Sequence, residues 1–591
     1  MPLGHSGDAA RPRGRSRVWL TLFVCCCLLA RAHAAVRRRV ADGDPPLPPT
    51  ARAHCRVFAV ASSTQTRVLI LRNAYEQDGV DVHDQLPASA SILDGTSAAG
   101  RADAEDEKAA ADAAYVILRP AVVRAAEWLR PHVDARHCYV HLVTESDSDS
   151  DSDFTTTSRV TRRLAQLCDR ARQDPAFPFL LAAPPASDAP RDVAGVTQSG
   201  DLRLVTSPWR RYFHVLGVNY FAGRVAPSLS PGQIEVFGLL HVGGAESESG
   251  SDSAEMVFDV RERWRRHKRQ RQVSVALNTS DFWSRGYVGY GRSGVQHAVV
   301  TSQNQISNSD ELPHPCFLSG YTALESDMLR LKGVGDADKC MDLIRTYVSA
   351  GNAQCPGESF CVFGGASQPQ PFGAFYASGV LRDAVLLASR VLDHAGLKPL
   401  QLPSPPLSAL REAAQTVCSL SVDDVAAADA ATSSPVGKNE TKLGSLLCLD
   451  LSYAAVLLEQ VGVQDTDERV YFVDHFEKQP SPPADDGKAG RRSPPELVAW
   501  LTGAFLYLEA LQRKVSFTME AELLAEQLSA GLPIGWNLSL LLFLAASCFL
   551  YFTTGRKPTS GRGYHRVVNG GAKAKYKDST QSITFVDDAR E

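Results

Sequence analysis

The feature that most constrains this chain is an uncharged apolar run of 19 residues, Ile534–Phe552. A helix of about 20 apolar residues can cross the hydrocarbon core of a bilayer, so the run predicts one membrane span. A buried core helix is the alternative. Basic residues follow the run, which places the tail on the cytoplasmic side. These residues are Arg556, Lys557, Arg562 and Arg566.

The N-terminal segment has the composition of a secretory signal peptide. Four arginines between positions 11 and 17 precede an apolar run, Val18–Ala30, and Ala32-His33-Ala34 fits the small-x-small cleavage rule. An uncleaved signal anchor is the alternative. The two apolar runs together predict a single-pass type I membrane protein of the secretory route, with its body in the lumen of the Golgi or endosomes or at the cell surface. The string Tyr564–Val567 in the tail is a candidate sorting signal.

Cysteines and sequons agree with an oxidising compartment. Nine of the 13 cysteines lie between the two apolar runs, and disulfides are typical of secreted domains. An odd number leaves at least one thiol outside a bridge. The sequence has no Cys-x-x-Cys pair with the histidine spacing of a zinc site, so zinc binding is not expected. Sequons at Asn278 and Asn439 predict N-glycosylation, whereas a third at Asn537 lies inside the predicted span.

The body of the chain reads as an α/β protein, because strand-like and helical runs alternate from Cys55 onward. Its length allows two globular domains or one large one, and a net charge of −4 gives no indication of nucleic-acid binding. The acidic low-complexity tracts Glu145–Asp153 and Glu246–Glu255 are expected to be solvated loops, with calcium binding or phosphorylation as the alternative. The Pro-rich stretch Pro480–Glu496 is also expected to be a loop.

A basic run, Arg261–Gln272, follows the second acidic tract. It is a candidate binding site for a polyanion, such as a glycosaminoglycan, or for a protein ligand. It also contains Arg266-His267-Lys268-Arg269, which fits a secretory convertase site. A solvated charged face is the alternative.

Several strings in the second half of the chain resemble, in order, those of the apyrase family. These proteins are nucleoside tri- and diphosphate phosphohydrolases of cell surfaces and the Golgi lumen. The strings are VGYGRSGVQHAVV (Val288–Val300), HPCFLSGY (His314–Tyr321), GVGDADKCMDLIRTYV, CPGESFCVFGGASQPQPFGAFYASG, VCSL with LLCLDLSYAAVLLEQVGV, and AWLTGAFLYL (Ala499–Leu508). The resemblance covers roughly Cys55 to Leu508 and is weaker in the first half.

The cysteine pairs that this resemblance implies are Cys316–Cys340, Cys355–Cys361 and Cys418–Cys448. Cys55, Cys138 and Cys168 are then left over, and Cys138–Cys168 is one pairing that the sequence does not decide.

The resemblance implies an α/β fold of two ribonuclease-H-like lobes of the actin/hexokinase type, with a cleft between them, plus one C-terminal transmembrane helix. It implies nucleoside di- or triphosphates as ligands, and Ca²⁺ or Mg²⁺ as cofactor if the protein is active. The expected segments are a signal peptide (1–34), a linker (35–53), a first lobe (54–225), a second lobe (226–510), a juxtamembrane segment (511–533), the span (534–553) and a cytoplasmic tail (554–591). In an alternative arrangement, the C-terminal part of the second lobe returns to the first lobe.

Three positions that carry catalytic carboxylates in the family carry other residues here. In the first phosphate loop, VASSTQT, the metal-organising aspartate corresponds to Val60. Counting back from Asn219 places the general base at Arg210, which cannot accept a proton at neutral pH. The aspartate of the fourth region corresponds to His241. We therefore expect weak or absent hydrolysis, because each lost base or electrostatic group typically costs about 10²–10⁴-fold in rate.

Other contact positions of the family have counterparts in this chain. The residues that the resemblance assigns to phosphate or nucleotide binding are Ser63, Thr66, Thr144, Gly243, Gly244, Ala245 and Trp500. The tyrosine that stacks on the base corresponds to Gly379. Three functions follow: a pseudoenzyme that binds nucleotide or acts as a scaffold, an active phosphohydrolase with unconventional site residues, or an unrelated envelope or adhesion glycoprotein.

Overall fold

Two mixed β-sheets organise the part of the chain that the computed structural model describes. That part comprises residues 55–62, 65–74, 79–84, 86, 89–93, 104–146, 154–181, 202–229, 235–244, 252–260, 277–304, 311–326, 329–352, 355, 360–432, 444–473 and 496–511. The chain divides into two compact units, 1–515 and 516–591, and every described residue lies in the first.

The first sheet is built around β1 (Cys55–Ala61), whose seven residues are all buried, as expected for a strand covered on both faces. β1 pairs antiparallel with β2 (Gln65–Ala74) and parallel with β5 (Tyr139–Ser146). The other strands are β3 (Gly79–His83), β4 (Ser89–Ala90), β6 (Leu180–Leu181) and β7 (Leu204–Thr206). The order is β3-β2-β1-β5-β6, with β4 beside β2 and β7 beside β5.

The second sheet repeats the pattern of three antiparallel strands followed by parallel ones. Its strands are β8 (Gly238–Val242), β9 (Ser253–Asp259), β10 (Phe282–Val288), β16 (Phe375–Gly379) and β17 (Val470–Tyr471). The order is β10-β9-β8-β16-β17, with β8, β16 and β17 parallel. Two small sheets contain β11 (Glu311–His314), β12 (Thr322–Ser326) and β13 (Leu329–Gly333), and β14 (Phe360–Cys361) and β15 (Ser367–Gln368).

Helices cover both sheets. Within the described ranges they are α1 (Ala104–Leu129), α2 (Phe154–Gln173), α3 (Ser207–Phe221), α4 (Arg292–Asn304), α5 (Ala337–Val348), α6 (Val380–His394), α7 (Leu407–Cys418), α8 (Val422–Thr432), α9 (Leu447–Gln460) and α10 (496–511), with 3₁₀ turns at Ala135–His137 and Thr279–Asp281. One core packs α1 and α2 on the first sheet, and another packs α4–α9 on the second. A third core joins α3 and α10 to residues of both sheets, such as Phe58 and Leu239.

The structure bears out a mixed α/β protein, while the two-lobe arrangement and the domain boundaries stay predictions. No helix in the described ranges is both long and apolar enough to cross a bilayer. Several predicted features lie outside those ranges. They are the signal peptide, the linker, the span at 534–553, the tail, the basic run 261–272, Asn439, Ser63 and Ala245.

Four disulfides join described cysteines, and three of them are the pairs that the resemblance implies: Cys316–Cys340, Cys355–Cys361 and Cys418–Cys448. The fourth joins Cys55 to Cys138, so the pairing of Cys138 with Cys168 is wrong. The reason is the register of two neighbouring strands. Arg56 of β1 is opposite Tyr139 of β5, which brings the two preceding cysteines together. Cys168 is buried in the core beneath the first sheet and lies outside these four bridges.

The expectation of solvated acidic loops is wrong at the residues where those segments meet secondary structure. Glu145 belongs to β5, and Glu255 belongs to β9 with only 4% of its surface exposed. Glu496, the last residue of the Pro-rich stretch, is helical and belongs to α10. Residues 147–153, 246–251 and 480–495 lie outside the described ranges.

Candidate functional site

A buried group of charged side chains lies where α3 and α10 meet the two sheets. We call it the Arg210 cluster, and its members are Arg210, Arg211, Glu145, Glu255, Glu496 and His241. Arg210 is 3% exposed, and each nitrogen of its guanidinium faces a different carboxylate. Nε is 3.4 Å from Oε2 of Glu145, Nη1 donates to Oε1 of Glu496 at 2.5 Å, and Nη2 donates to Oε1 of Glu255.

The register of the second sheet places three polar residues in a row. His241 of β8 is opposite Glu255 of β9 on one side and Ser378 of β16 on the other. Residues directly opposite on neighbouring strands share a face of the sheet, so all three point toward the same space. Nδ1 of His241 is hydrogen-bonded to Oγ of Ser378 at 3.0 Å, and Nε2 lies 3.5 Å from Oε1 of Glu496.

Helix α3 supplies both arginines of the cluster from its first turn. The helix follows Thr206 and carries Pro208 at its start, a position where proline costs no hydrogen bond. Nε of Arg211 donates to Oγ of Ser284 at 2.8 Å, and Nη1 lies 3.6 Å from Oε1 of Glu255. The chain therefore crowds two guanidinium groups against the polar row of the second sheet.

Helix α10 brings in the third carboxylate, Glu496, and two ion pairs hold its described part. Oε1 of Glu496 accepts from Arg210, and Oε1 of Glu509 accepts a hydrogen bond from Nε of Arg56 at 3.0 Å. Arg56 belongs to β1 and also contacts Nε2 of His141 at 3.1 Å. These contacts fix α10 against the first sheet and against Arg210.

Burial and charge act in opposite directions on the carboxylates of the cluster. Burial alone would raise the pKa of Glu255 and Glu496, because it disfavours the charged form. Electrostatic interactions with neighbouring side chains, Arg210 foremost for Glu255 and His241 for Glu496, outweigh burial, and each pKa lies below its usual value. Complete burial lowers the pKa of His214, one turn after Arg210, to about 3. At neutral pH the cluster therefore combines charged carboxylates and guanidinium groups with a neutral His214.

The β1–β2 hairpin uses its polar groups within the fold. Val60 is a buried core residue of β1, opposite Val143 and Arg67. Oγ1 of Thr66 accepts a hydrogen bond from the backbone of Ile92 at 2.9 Å. Oγ1 of Thr144 donates to the carbonyl of Ala61 at 3.1 Å. Contact of these hydroxyls with phosphate stays a prediction.

The glycine turn after β8 is tightly packed. The amide of Gly243 donates to Ser253, and its carbonyl accepts from Arg292, each at 2.9 Å. Gly379 has φ +64°, and a Cβ atom there would lie 2.3 Å from the carbonyl oxygen of Val242. The backbone therefore requires glycine at the position that the resemblance aligns with a base-stacking tyrosine.

Two further predicted residues differ in accessibility. Trp500 is 1% exposed and lies in the core between the sheets. Asn278, the first glycosylation position, is exposed.

The residues present do not fit the divalent cation that the resemblance implies. Such cations take oxygen ligands, mostly carboxylates, and three carboxylates do converge here. The guanidinium of Arg210 already lies between them, however, and the two positions that the resemblance aligns with metal-organising aspartates hold Val60 and His241. Across the residues that the structure describes, no group of three or more His, Cys, Asp or Glu side chains is arranged to hold a metal ion.

Glu145, Glu255 and Glu496 are members of the site that the sequence does not indicate. Two of them sit at the edge of acidic tracts and the third at the end of a Pro-rich stretch, so composition assigned them to loops. A local pattern was available for Glu255, because the apolar run Met256–Phe258 after it is typical of a buried strand. Their convergence depends on strand register and on the docking of α10, which no local pattern contains.

The stability of the protein is expected to fall as the pH is lowered from 7 toward 4. His214 has a pKa of about 3 in the folded protein and about 6.5 when unfolded, so only the unfolded chain binds this proton between those values. Replacing His214 by Gln should reduce the slope of unfolding free energy against pH by up to about 1.4 kcal/mol per pH unit between pH 4 and 6. Urea unfolding at a series of pH values measures this slope.

Other groups shape the same curve without obscuring the difference. Burial lowers the pKa of His314 to about 4, which acts in the same direction as His214. Burial raises the pKa of Asp450 to about 6 despite Arg292 beside it, so its contribution has the opposite sign. The lowered pKa values of Glu255 and Glu496 remove stability only below about pH 4.5. Equal slopes for the two proteins would show that His214 is not buried in neutral form.

The sequence of this chain is similar to those of known proteins. Residues 195–513, more than half of the chain, match the model of the GDA1/CD39 (nucleoside phosphatase) family. Rat ectonucleoside triphosphate diphosphohydrolase 8 is 24% identical over 191 residues, covering 28% of this chain and 36% of the rat protein. The human protein of the same name is 26% identical over 170 residues, covering 25% of this chain and 32% of its own length. The chain thus spans about a third of the length of these curated relatives.

Among solved structures, a nucleoside triphosphate hydrolase from Neospora caninum aligns with 82% of this chain and 98% of its own length, at 14% identity and a TM-score of 0.47. The family match overturns the alternative of an unrelated envelope or adhesion glycoprotein. The chain is a divergent member of the GDA1/CD39 (nucleoside phosphatase) family.

Proposed function

We propose that this chain is a type I membrane glycoprotein whose apyrase-type body has weak or no hydrolytic activity and serves as a nucleotide-binding or scaffolding ectodomain. The observation that carries this proposal is the environment of Arg210. At the position that the resemblance gives to the general base, the chain has a permanently charged guanidinium group bound to three carboxylates. A water molecule there would meet no available proton acceptor at that position.

Two further observations support the loss of the family mechanism. The first phosphate loop has the core residue Val60 at its metal-organising position. His241 occupies the other such position and is hydrogen-bonded to Ser378. Phosphoryl transfer depends mainly on charge neutralisation and positioning, so a site with neither carboxylate lacks the groups that would organise a cation on the phosphates.

Membrane anchoring and the secretory route are supported by the sequence. The apolar runs at Val18–Ala30 and Ile534–Phe552, the basic residues after the second run and the four disulfides in the body agree with that topology. Nucleoside di- and triphosphates are the ligand class to test first, because the chain belongs to a family of nucleoside phosphatases.

The expected result of a phosphate-release assay is at least about 10⁴-fold less turnover than that of an active family member. The full-length protein in detergent would be given ATP, ADP, GDP or UDP with calcium or magnesium, with the rat relative assayed in parallel. Turnover within tenfold of the relative, dependent on a divalent cation, would refute the proposal.

A second candidate function is hydrolysis with unconventional residues, and one observation favours it. Glu255 and Glu496 lie beside the position that the resemblance gives to the general base, so either carboxylate would be within reach of a water molecule if Arg210 moved aside. Under this alternative, Glu255→Gln or Glu496→Gln would lower the rate about 10²–10⁴-fold. Phosphate release that survives both substitutions has another source, such as a contaminating phosphatase.

A further inference from the structure

The carboxylates around Arg210 come from three separate parts of the chain. Glu145 lies on a strand of the first sheet, Glu255 on a strand of the second, and Glu496 on α10. Each contacts a different nitrogen of one guanidinium group. The guanidinium therefore links both sheets and α10 through a single central cation.

Arg210 is the nearest described cation to Glu255 and to Glu496. Glu255 is 96% buried, with Arg211 as its second, more distant cation among the described residues at 3.6 Å. Oε2 of Glu255 makes no hydrogen bond within the described residues. Buried carboxylates are strongly unfavourable unless a cation is close to them. Removal of Arg210 would thus take the nearest described cation from Glu255 and Glu496, and would leave Glu255 with the longer contact to Arg211.

A divalent cation is the other common solution to such a convergence of carboxylates. Calcium takes six to eight oxygen ligands, often from glutamates supplied by separate segments. A guanidinium differs in that it is part of the chain and cannot dissociate, and its planar fork can bind several carboxylate oxygens at once.

We propose that Arg210 is a built-in replacement for a divalent cation. It supplies the counter-charge that joins the two sheets and α10, so the fold needs no calcium or magnesium for its stability. Substitution of Arg210 by a neutral side chain would leave a three-carboxylate site that accepts calcium. The inference concerns stability and goes beyond the proposed function, because it holds whether or not the protein hydrolyses nucleotides.

A surface cluster provides a matched control. Arg345 also pairs with two carboxylates, at 2.6 Å from Asp342 and 3.1 Å from Glu459. Its side chain is 35% exposed, so water can solvate these carboxylates when the guanidinium is removed. Arg345→Gln therefore removes the same charge as Arg210→Gln, but the carboxylates that it affects are accessible to water.

The experiment is thermal unfolding of the full-length protein and the two variants, in EDTA and in 5 mM calcium, without nucleotide. We expect the melting temperature of the wild type and of Arg345→Gln to change by less than about 2 °C on adding calcium. Arg210→Gln should melt about 5 °C or more below the wild type in EDTA and recover at least half of that loss in calcium. A terbium titration followed by luminescence should show one more bound ion per molecule for Arg210→Gln than for the wild type.

Two results would overturn the proposal. One is a wild-type protein that itself gains several degrees from calcium, since Arg210 would then not replace the metal. The other is an Arg210→Gln protein that folds without any calcium response or additional terbium site. If Arg210→Gln is unfolded in EDTA, folding in calcium supports the proposal and failure to fold in calcium contradicts it. Arg210→Lys, which keeps a positive charge, should fold and show no calcium response.

Discussion

Arg210→Glu is expected to unfold the body of the protein rather than to restore a catalytic base. The substitution returns a carboxylate to the position where the resemblance places the general base. In this chain, however, it would remove the central cation and add a fourth carboxylate to three that are already there. Breaking a buried ion pair by removing one partner costs about 3–5 kcal/mol, and the added repulsion raises the expected loss to at least about 5 kcal/mol.

Such a loss is comparable with the whole stability of many proteins. Urea unfolding and near-ultraviolet circular dichroism would measure it. The matched control is Arg345→Glu in the partly exposed cluster, which should cost about 1 kcal/mol or less. The double substitution Arg210→Glu with Glu255→Arg restores the balance of charge and should recover part of the loss. A stable Arg210→Glu protein would show that the three carboxylates do not depend on this guanidinium.

Gly217→Ala is expected to separate α3 from α10 and to cost at least about 3 kcal/mol. A Cβ atom on Gly217 would lie 1.8 Å from the carbonyl oxygen of Ala499 in α10. The contact is reciprocal, because a Cβ on Gly503 would lie 1.9 Å from the carbonyl oxygen of Phe213 in α3. Overpacking a core typically costs about 1–3 kcal/mol and occasionally more, and here the obstacle is backbone that cannot change rotamer.

The separation should also disturb the Arg210 cluster, because Glu496 belongs to the displaced helix. Urea unfolding measures the loss, and Gly503→Ala should give a similar value. Gly396→Ala is the control, since its Cβ would meet nothing within 4 Å although φ is +70°. It should cost only about 1–2 kcal/mol, the strain of a left-handed conformation. Equal costs at positions 217 and 396 would mean that the two helices are not in backbone contact.

Local patterns were sufficient for much of this fold. Alternating strand-like and helical runs predicted a mixed α/β protein, and the ordered strings of the second half led to the family. Those strings lie in continuous segments such as α5, α9 and β16, whose residues are neighbours in sequence. The glycines at 243 and 244 likewise follow β8 directly, and the backbone of Gly243 is hydrogen-bonded to that of Ser253 and Arg292.

The site required information that composition does not carry. Composition describes only the average polarity of an acidic tract, yet Glu255, the last residue of the second tract, belongs to a buried strand. Glu255 faces Arg210 because β9 is in register with β8, and Glu496 arrives only when α10 docks on α3. Contacts between residues 45 to 286 positions apart therefore decide the chemistry of Arg210, whereas the resemblance gives only its alignment with the general base of the family.

A crystal structure of the protein grown with calcium and a non-hydrolysable ATP analogue would test the central claim most directly. The account predicts that the guanidinium of Arg210 remains bound to Glu145, Glu255 and Glu496, with no cation among the three carboxylates. A calcium ion bound at about 2.3–2.6 Å from one of these carboxylates, with Arg210 displaced and the phosphates of the analogue beside it, would contradict the account.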